Sequence, residues 1–374
     1  MCNIQKYILP SLTGRGGEVG LFPSKACRGV GLQLVGLLLL LCIPFLVACN
    51  DEWKDEQYAH YISFKAPLND NGVTAVYVPY TRHGDDGMPL YGAEGKSHYD
   101  LPVIVSGTTD NDANLTVYFG PSDTLSILNV ERFGKPEYRS DIVDLYYKDM
   151  GAFATYPASL NIPSGQDVAL LRIQFDFNGI DMKDKWVLPI EIQKHEGYTP
   201  HPRKNYAKAM LRVYPFNDFS GNYSATTLTV TNADDPDNAT GMETARGYVV
   251  DENTIFFYAG TMDETRVDRQ NYKVFFRFIP ENEAKTTGRV EMYSDNPANG
   301  FVNNGQAAYR IYEQMDEVQP WLMHRYVIIS GINYNYTDYT SVNGYPMEYT
   351  AKGILTLERQ LNTQIPNEDQ AIQW

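Results

Sequence analysis

Residues 168–177 read Val-Ala-Leu-Leu-Arg-Ile-Gln-Phe-Asp-Phe, so that Leu171, Ile173, Phe175 and Phe177 alternate with Arg172, Gln174 and Asp176. Alternation with a period of two sets one row of side chains against a core and the other in water, which is the signature of a half-buried β-strand. The pattern recurs along the chain. Leu115, Val117 and Phe119 alternate with Thr116 and Tyr118, and Trp186, Leu188, Ile190 and Ile192 form another row. Pro189 lies inside that second row, and a proline without an N–H donor predicts an edge strand. Further on come Val274, Phe276 and Phe278, then the apolar stretch 325–332, then Ala351, Gly353, Leu355 and Leu357. Only residues 140–148 carry a helical spacing, through Ile142, Leu145 and Tyr146. Many short strands separated by turn signals, with little helix, predict an all-β protein.

The first 48 residues differ from the rest. Residues 34–48 are an apolar run with Lys25 and Arg28 ahead of it, shorter than the roughly 20 residues of a spanning helix. That is the layout of a secretory signal. It ends in Leu46-Val47-Ala48-Cys49, which resembles the lipobox of bacterial lipoproteins and makes Cys49 the expected lipidation site. Residues 1–24 are unusual for such a leader, and translation is expected to start near Val30 or at a leucine with a non-standard initiation codon. Cys2, Cys27 and Cys42 all lie in the leader, so the body beyond Cys49 has no thiol for a disulfide, a cysteine nucleophile or a cysteine-held metal. The whole chain carries a net charge of −15, and the basic leader makes the body more acidic still. A field of that sign repels phosphate backbones, so nucleic acid is not an expected partner.

The domain reading that follows is a signal peptide over 1–48, an acidic tether over 49–57, an N-terminal immunoglobulin-like β-sandwich over 58–214 and a C-terminal β-barrel or β-sandwich over 215–374. The length of the body supports two cores. Composition shifts toward Tyr, Phe, Thr and Asn beyond Tyr214-Pro215-Phe216-Asn217.

Several stretches carry a family resemblance. In the first domain they are Tyr99-Asp-Leu-Pro-Val, Asn161-Ile-Pro-Ser-Gly165 and Trp186-Val-Leu-Pro-Ile-Glu-Ile192. In the second they are Phe219-Ser-Gly-Asn-Tyr223 and Gly353-Ile-Leu-Thr-Leu-Glu-Arg359, running into the closing segment from Asn362 to Trp374. Over essentially the whole body the chain resembles two-domain lipoproteins of unknown function from Bacteroidetes polysaccharide-utilisation loci. The resemblance implies a lipid-anchored protein of the outer membrane, facing the cell exterior beside a SusC/SusD-like glycan importer, with glycan as its partner. It implies no cofactor. The acidic residues after Cys49 resemble the surface-export signal of such lipoproteins, and Asp123-Thr124-Leu125 resembles their short O-glycosylation acceptor.

Catalytic and metal motifs are weak. Asp110-x-Asp112-x-Asn114 begins like a calcium loop, but Leu115 and Pro121 stand where the turn glycine and the bidentate glutamate belong. The six histidines show no H-E-x-x-H spacing, and no G-x-S-x-G elbow occurs. The chain is therefore read as non-enzymatic. A fimbrial or adhesin subunit is the alternative, with a glycoside hydrolase behind it. Sugar binding needs flat aromatic side chains for the apolar faces of pyranose rings, and amides or carboxylates for the hydroxyls. Trp321, Tyr334, Tyr336, Tyr339 and Tyr345 are the candidates, four of them around an expected hairpin turn at Asn343-Gly344. Trp186 is expected in the core.

Overall fold

The computed structural model describes residues 59–374 except 108 and 204. Cys49 and the whole leader lie outside the described residues. The described chain is all-β with few helical turns. Its first part contains β1 (Tyr61–Phe64), β2 (Thr74–Pro79), β3 (Lys96–Val105), β4 (Leu115–Pro121), β5 (Tyr147–Asp149), β6 (Ala154–Thr155), β7 (Ser159–Ile162), β8 (Val168–Asp176), β9 (Lys185–Ile192), β10 (Thr199–Pro200) and β11 (Lys208–Phe216). These form two sheets, one in the order β10-β1-β3-β8-β6 and one in the order β2-β11-β9-β4-β7. Both sheets feed one core, in which Ile62, Leu101, Ile173, Leu188 and Leu211 are fully buried. The alternation read along β8 is the one observed, with Leu171, Ile173 and Phe175 inward and Arg172, Gln174 and Asp176 outward.

Two local expectations are corrected. Pro189 is not on an edge, because β9 lies between β11 and β4. It is accommodated because the neighbour on that side changes there. β5 pairs with residues 185–187 and β4 with 190–192, so no partner needs an N–H from position 189. The helix expected over 140–148 is a 3₁₀ segment, Ser140–Leu145, that gives way to β5. The true helix of this part is α1 (Thr124–Phe133). It buries Leu125 and Asn129, and Asn129 exchanges two hydrogen bonds of 2.9 Å with the backbone of Tyr147. Gly134, at φ 87°, caps its C-terminus. Thr124, read as a glycosylation acceptor, lies in the first turn, and its Oγ1 accepts from Lys208 Nζ at 2.7 Å.

The second part contains β12 (Gly221–Ser224), β13 (Thr229–Asn232), β14 (Asp235–Gly241), β15 (Thr244–Val249), β16 (Thr254–Tyr258), β17 (Lys273–Pro280), β18 (Thr287–Tyr293), β19 (Val302–Asn303), β20 (Ala307–Met315), β21 (Leu322–Asp338), β22 (Met347–Asn362), the short helix α2 (Glu368–Ala371) and β23 (Ile372–Gln373). Eight of these strands, β12, β15, β16, β17, β18, β20, β21 and β22, close into a barrel because β21 and β22 pair with each other as well as with the two ends of the row. The barrel-or-sandwich expectation thus resolves as a barrel. Eight strands leave an interior that side chains can fill, and here they are largely aromatic. Phe219 stacks on Phe278 at 3.7 Å, and Tyr309 meets Phe278 edge-on at 5.3 Å. Fully buried Tyr223 donates its hydroxyl to the Phe219 carbonyl at 2.5 Å, so burying the ring leaves no orphaned polar atom. Arg269, 2% exposed, ties the barrel to the sandwich by donating to the carbonyls of Lys183 (2.9 Å) and Asp144 (2.6 Å).

Candidate functional site

The five aromatic candidates do not form one surface. Tyr334 and Tyr336 point into the barrel, 3% and 1% exposed, and cannot serve as platforms for a sugar. Tyr334 Oη accepts from the Gly260 N–H at 3.3 Å, and the Tyr336 ring stacks on Tyr349 at 5.4 Å. Burial pushes the Tyr334 hydroxyl up to about 12 and that of Tyr336 higher still. Tyr339 is half-buried, accepts from Asn296 Nδ2 at 3.0 Å and leans on Tyr272 at 5.8 Å. It belongs to the network that fixes this end of the barrel, in which Tyr272 donates to Asp338 at 2.8 Å and Thr340 hydrogen-bonds Asp268. Tyr345 is exposed on the β21–β22 hairpin and donates to Asp234 Oδ2 at 3.0 Å. Trp321 precedes β21, whereas Tyr339 and Tyr345 follow it. A strand of 17 residues places its ends roughly 50 Å apart, too far for one binding surface.

A different aromatic row lies where the sandwich meets the barrel. β2 and β11 pair in parallel with Tyr77 opposite Tyr214, which sets the two rings on one face at 5.3 Å and 20°. On the other side, β23 pairs with β22 and carries Trp374 back over β2. The indole stacks on Tyr77 at 4.1 Å and 5° and meets Phe216 edge-on at 4.8 Å. Arg359 sits beneath, its guanidinium 5.7 Å from the indole and bonded to the carbonyls of Asn217 (2.5 Å) and Ser220 (2.6 Å). Trp374 is nonetheless 48% exposed, so it holds the terminus down and presents a wet aromatic surface as well. Asn222 and Gln373 supply exposed amides at the rim.

The cleft along this row encloses about 120 Å³. Pockets that engulf a small molecule hold roughly 300–1,000 Å³, so a ligand here would lie across the ring faces. Flat rings with few rotatable bonds and amides at the rim suit an object with an apolar face and a hydroxylated edge. The one carboxylate side chain among the lining residues is Glu358, which hydrogen-bonds His324 Nδ1 at 2.7 Å.

The row ends in positive charge. Tyr214 has Arg246 4.3 Å and Arg212 4.7 Å from its ring centre. Arg212 pairs with Glu264 at 3.2 Å, and Tyr248 donates to the same Glu264 oxygen at 3.1 Å. Burial disfavours the Glu264 charge, but Arg212, Lys185 and Arg246 outweigh it and hold the carboxyl below its usual range. Burial also pushes the Tyr214 hydroxyl up to about 12.

Sequence reasoning missed Tyr77, Tyr214 and Arg246. The strand of Tyr77 is apparent in Ala75-Val-Tyr-Val-Pro79, but Tyr214 falls in the stretch read as the domain boundary, and a parallel pairing between segments so far apart leaves no local mark. Trp374 carries the one available signal, an aromatic residue closing a polar segment.

Comparison with known proteins gives the chain its relatives. A family model described as a domain of unknown function, DUF4973, matches residues 53–196, and a model of a C-terminal domain matches residues 207–356. No curated protein matches the chain significantly. Among solved structures, a protein described as an auxiliary nutrient binding protein from Bacteroides thetaiotaomicron is 44% identical, with a TM-score of 0.74 over 85% of this chain and 100% of that one. A multidomain protein including DUF1735 from Bacteroides ovatus is 37% identical, with a TM-score of 0.70 over 84% of this chain and 100% of that one. A protein of unknown function from Bacteroides ovatus is 35% identical, with a TM-score of 0.69 over 86% of this chain and 97% of that one. With such identity over nearly the full length of these structures, the chain belongs to the family of two-part, all-β Bacteroides proteins that they represent.

Proposed function

We propose that this protein is a non-catalytic lipoprotein, anchored through Cys49 on the outer face of the outer membrane, that binds oligo- or polysaccharide for a SusC/SusD-like uptake system. The observation that carries the binding role is the row Trp374–Tyr77–Tyr214, an aromatic surface edged by the amides of Asn222 and Gln373. The relative described as an auxiliary nutrient binding protein supports the same reading. The lipobox and acidic tether support the location. A hydrolase needs two acidic side chains flanking the bond it cuts, and among the residues lining the cleft Glu358 is the one acidic side chain. An immunoglobulin-like first domain is supported by strand order, with β1-β3-β8 in one sheet facing β2-β11-β9-β4 in the other.

Calorimetric titration against a panel of oligosaccharides tests the role. Binding that falls at least about tenfold in both Trp374→Ala and Tyr77→Ala, each still folded, is the expected result; stacking of a ring on one aromatic is worth ~1–3 kcal/mol on the comparable surfaces that bind nucleic-acid bases. A folded protein retained by no glycan would overturn the proposal, and release of reducing sugar would overturn its non-catalytic part.

A further inference from the structure

The cation cluster at the end of the aromatic row is out of balance. Arg212, Arg246 and Lys185 surround Glu264, which is held charged. Among the described residues only Arg212 makes an ion pair with it. The guanidinium of Arg246 makes no hydrogen bond and no ion pair among the described residues, although its backbone lies in the β12–β15 ladder. Its guanidinium lies over Tyr214 at 4.3 Å and near Tyr248 at 5.5 Å. Lys185 is half-buried, its ammonium likewise without a hydrogen bond or ion pair among the described residues. Burial lowers its pKa. Three cations around one carboxylate leave a local excess of positive charge. Glu243 and Asp263 line the adjoining pocket with Arg246 and Glu264, yet among the described residues Glu264 is the one carboxylate that pairs with any of the three cations.

Position matters as much as sign. Arg246 lines the same cleft as Trp374 and Tyr77, and its planar fork can accept a carboxylate or sulfate through two parallel hydrogen bonds. The ring beneath holds the guanidinium in place without satisfying its donors, which keeps them available. Glu358, the cleft's one acidic side chain, is engaged by His324 and offers Arg246 no partner.

From this we infer that the glycan taken by the aromatic row is acidic: a saccharide bearing uronate or sulfate groups, stacked on Trp374 and Tyr77, with an anionic group on Arg246. The inference rests on the binding role proposed above and specifies its ligand class. It also accounts for a basic spot in a protein whose overall field would otherwise repel such a ligand.

The test is a calorimetric comparison of the whole chain with three oligosaccharides of equal length: an oligogalacturonide, a sulfated galactan fragment and a neutral galactan fragment. Measurements run at low and high sodium chloride. At least one acidic probe should bind at least about tenfold tighter than the neutral one, with an advantage that shrinks as salt rises. Arg246→Gln should remove most of that advantage, read as the ratio of acidic to neutral affinity in the same variant. Arg246→Lys, which keeps charge without the fork, should fall between, and thermal melts of both variants report that each is folded. Neutral binding equal to acidic binding, or an acidic preference that survives Arg246→Gln, would overturn the inference while leaving the binding role standing. Binding of none of the three, together with none of the wider panel, would overturn both.

Discussion

Arg269→Met isolates what holds the sandwich and barrel together. Besides the two carbonyls of the sandwich, the guanidinium donates to the Arg266 carbonyl at 3.0 Å, and it lies 3.9 Å from the Asp184 carboxylate. Methionine fills much of the same volume but leaves three acceptors without their charged donor. A hydrogen bond to a charged group contributes ~1.5–3 kcal/mol, the three are not additive, and removing one partner from a buried charged contact typically costs ~3–5 kcal/mol. Lys148 still pairs with Asp184 at 2.9 Å, so that carboxylate is not abandoned. The expected loss is therefore about 3–5 kcal/mol. With an unfolding entropy of about 2.1 cal/mol/K per residue, a body of roughly 300 residues converts 4 kcal/mol into a Tm drop of about 6 °C. Scanning calorimetry should show the drop, and a single endotherm should broaden or split, because the substitution removes hydrogen bonds that join the two parts. Trp186 packs against both cores and donates to the Asp181 carbonyl at 2.8 Å, so its fluorescence should change with the first transition. Arg269→Lys should lie between. A loss below about 1 kcal/mol with one unchanged transition would refute the assignment of Arg269 as the tie between the parts.

Single contacts give three further predictions. Gly260→Ala should destabilise the barrel by about 2–4 kcal/mol in urea melts, because the glycine has φ +52° and an added Cβ would stand 2.0 Å from Tyr336 Oη. His324 hydrogen-bonds Glu358 at 2.7 Å and Asp316 at 3.1 Å, which raise its pKa above the usual 6.5. A raised pKa means its contribution is full below the unfolded value and fades as pH rises through the folded one. The Tm difference between the native protein and His324→Gln should accordingly be larger near pH 5.5 than near pH 9. Tyr345→Ala, on the exposed hairpin, should change glycan affinity less than about twofold in the titrations that Trp374→Ala disrupts, since a rim contact far from the stacking surface contributes little.

How far the sequence can be read depends on how local each feature is. Strand alternation is set by the backbone pleat, so Leu171, Ile173 and Phe175 announce their own burial. Pairing is set by distant chain. Nothing near Tyr77 reports that Tyr214 will lie beside it, and nothing near Pro189 reports that its neighbour changes from β5 to β4. Helix α1 is obscured because Ile127, Val130 and Phe133 favour strands, although Gly134 followed by Lys135 and Pro136 is a helix stop.

The misreading of Tyr334 and Tyr336 has a more specific cause. Along β21, Val327 and Ile329 face the core, and an unbroken period of two would carry that phase to 331, 333 and 335. Tyr334 and Tyr336 would then face outward with their rings in water, as a sugar platform requires. The strand is broken instead between Ile329 and Ile332, which pair with Leu355 and Gly353, three residues opposite two. This is a β-bulge, and Gly331 makes it possible: it has φ +74°, and a Cβ there would meet the Gln306 carbonyl oxygen at 2.5 Å. One extra residue reverses every later side chain. Ile332, Tyr334, Tyr336 and Asp338 turn inward, while Asn335 turns out. Two marks of that reversal are present in the sequence, a glycine inside an apolar strand and an isoleucine on the wrong parity after it. The same bulge that removes these tyrosines from the surface supplies the barrel with its aromatic interior at this end, and leaves stacking to the row built from Tyr77, Tyr214 and Trp374.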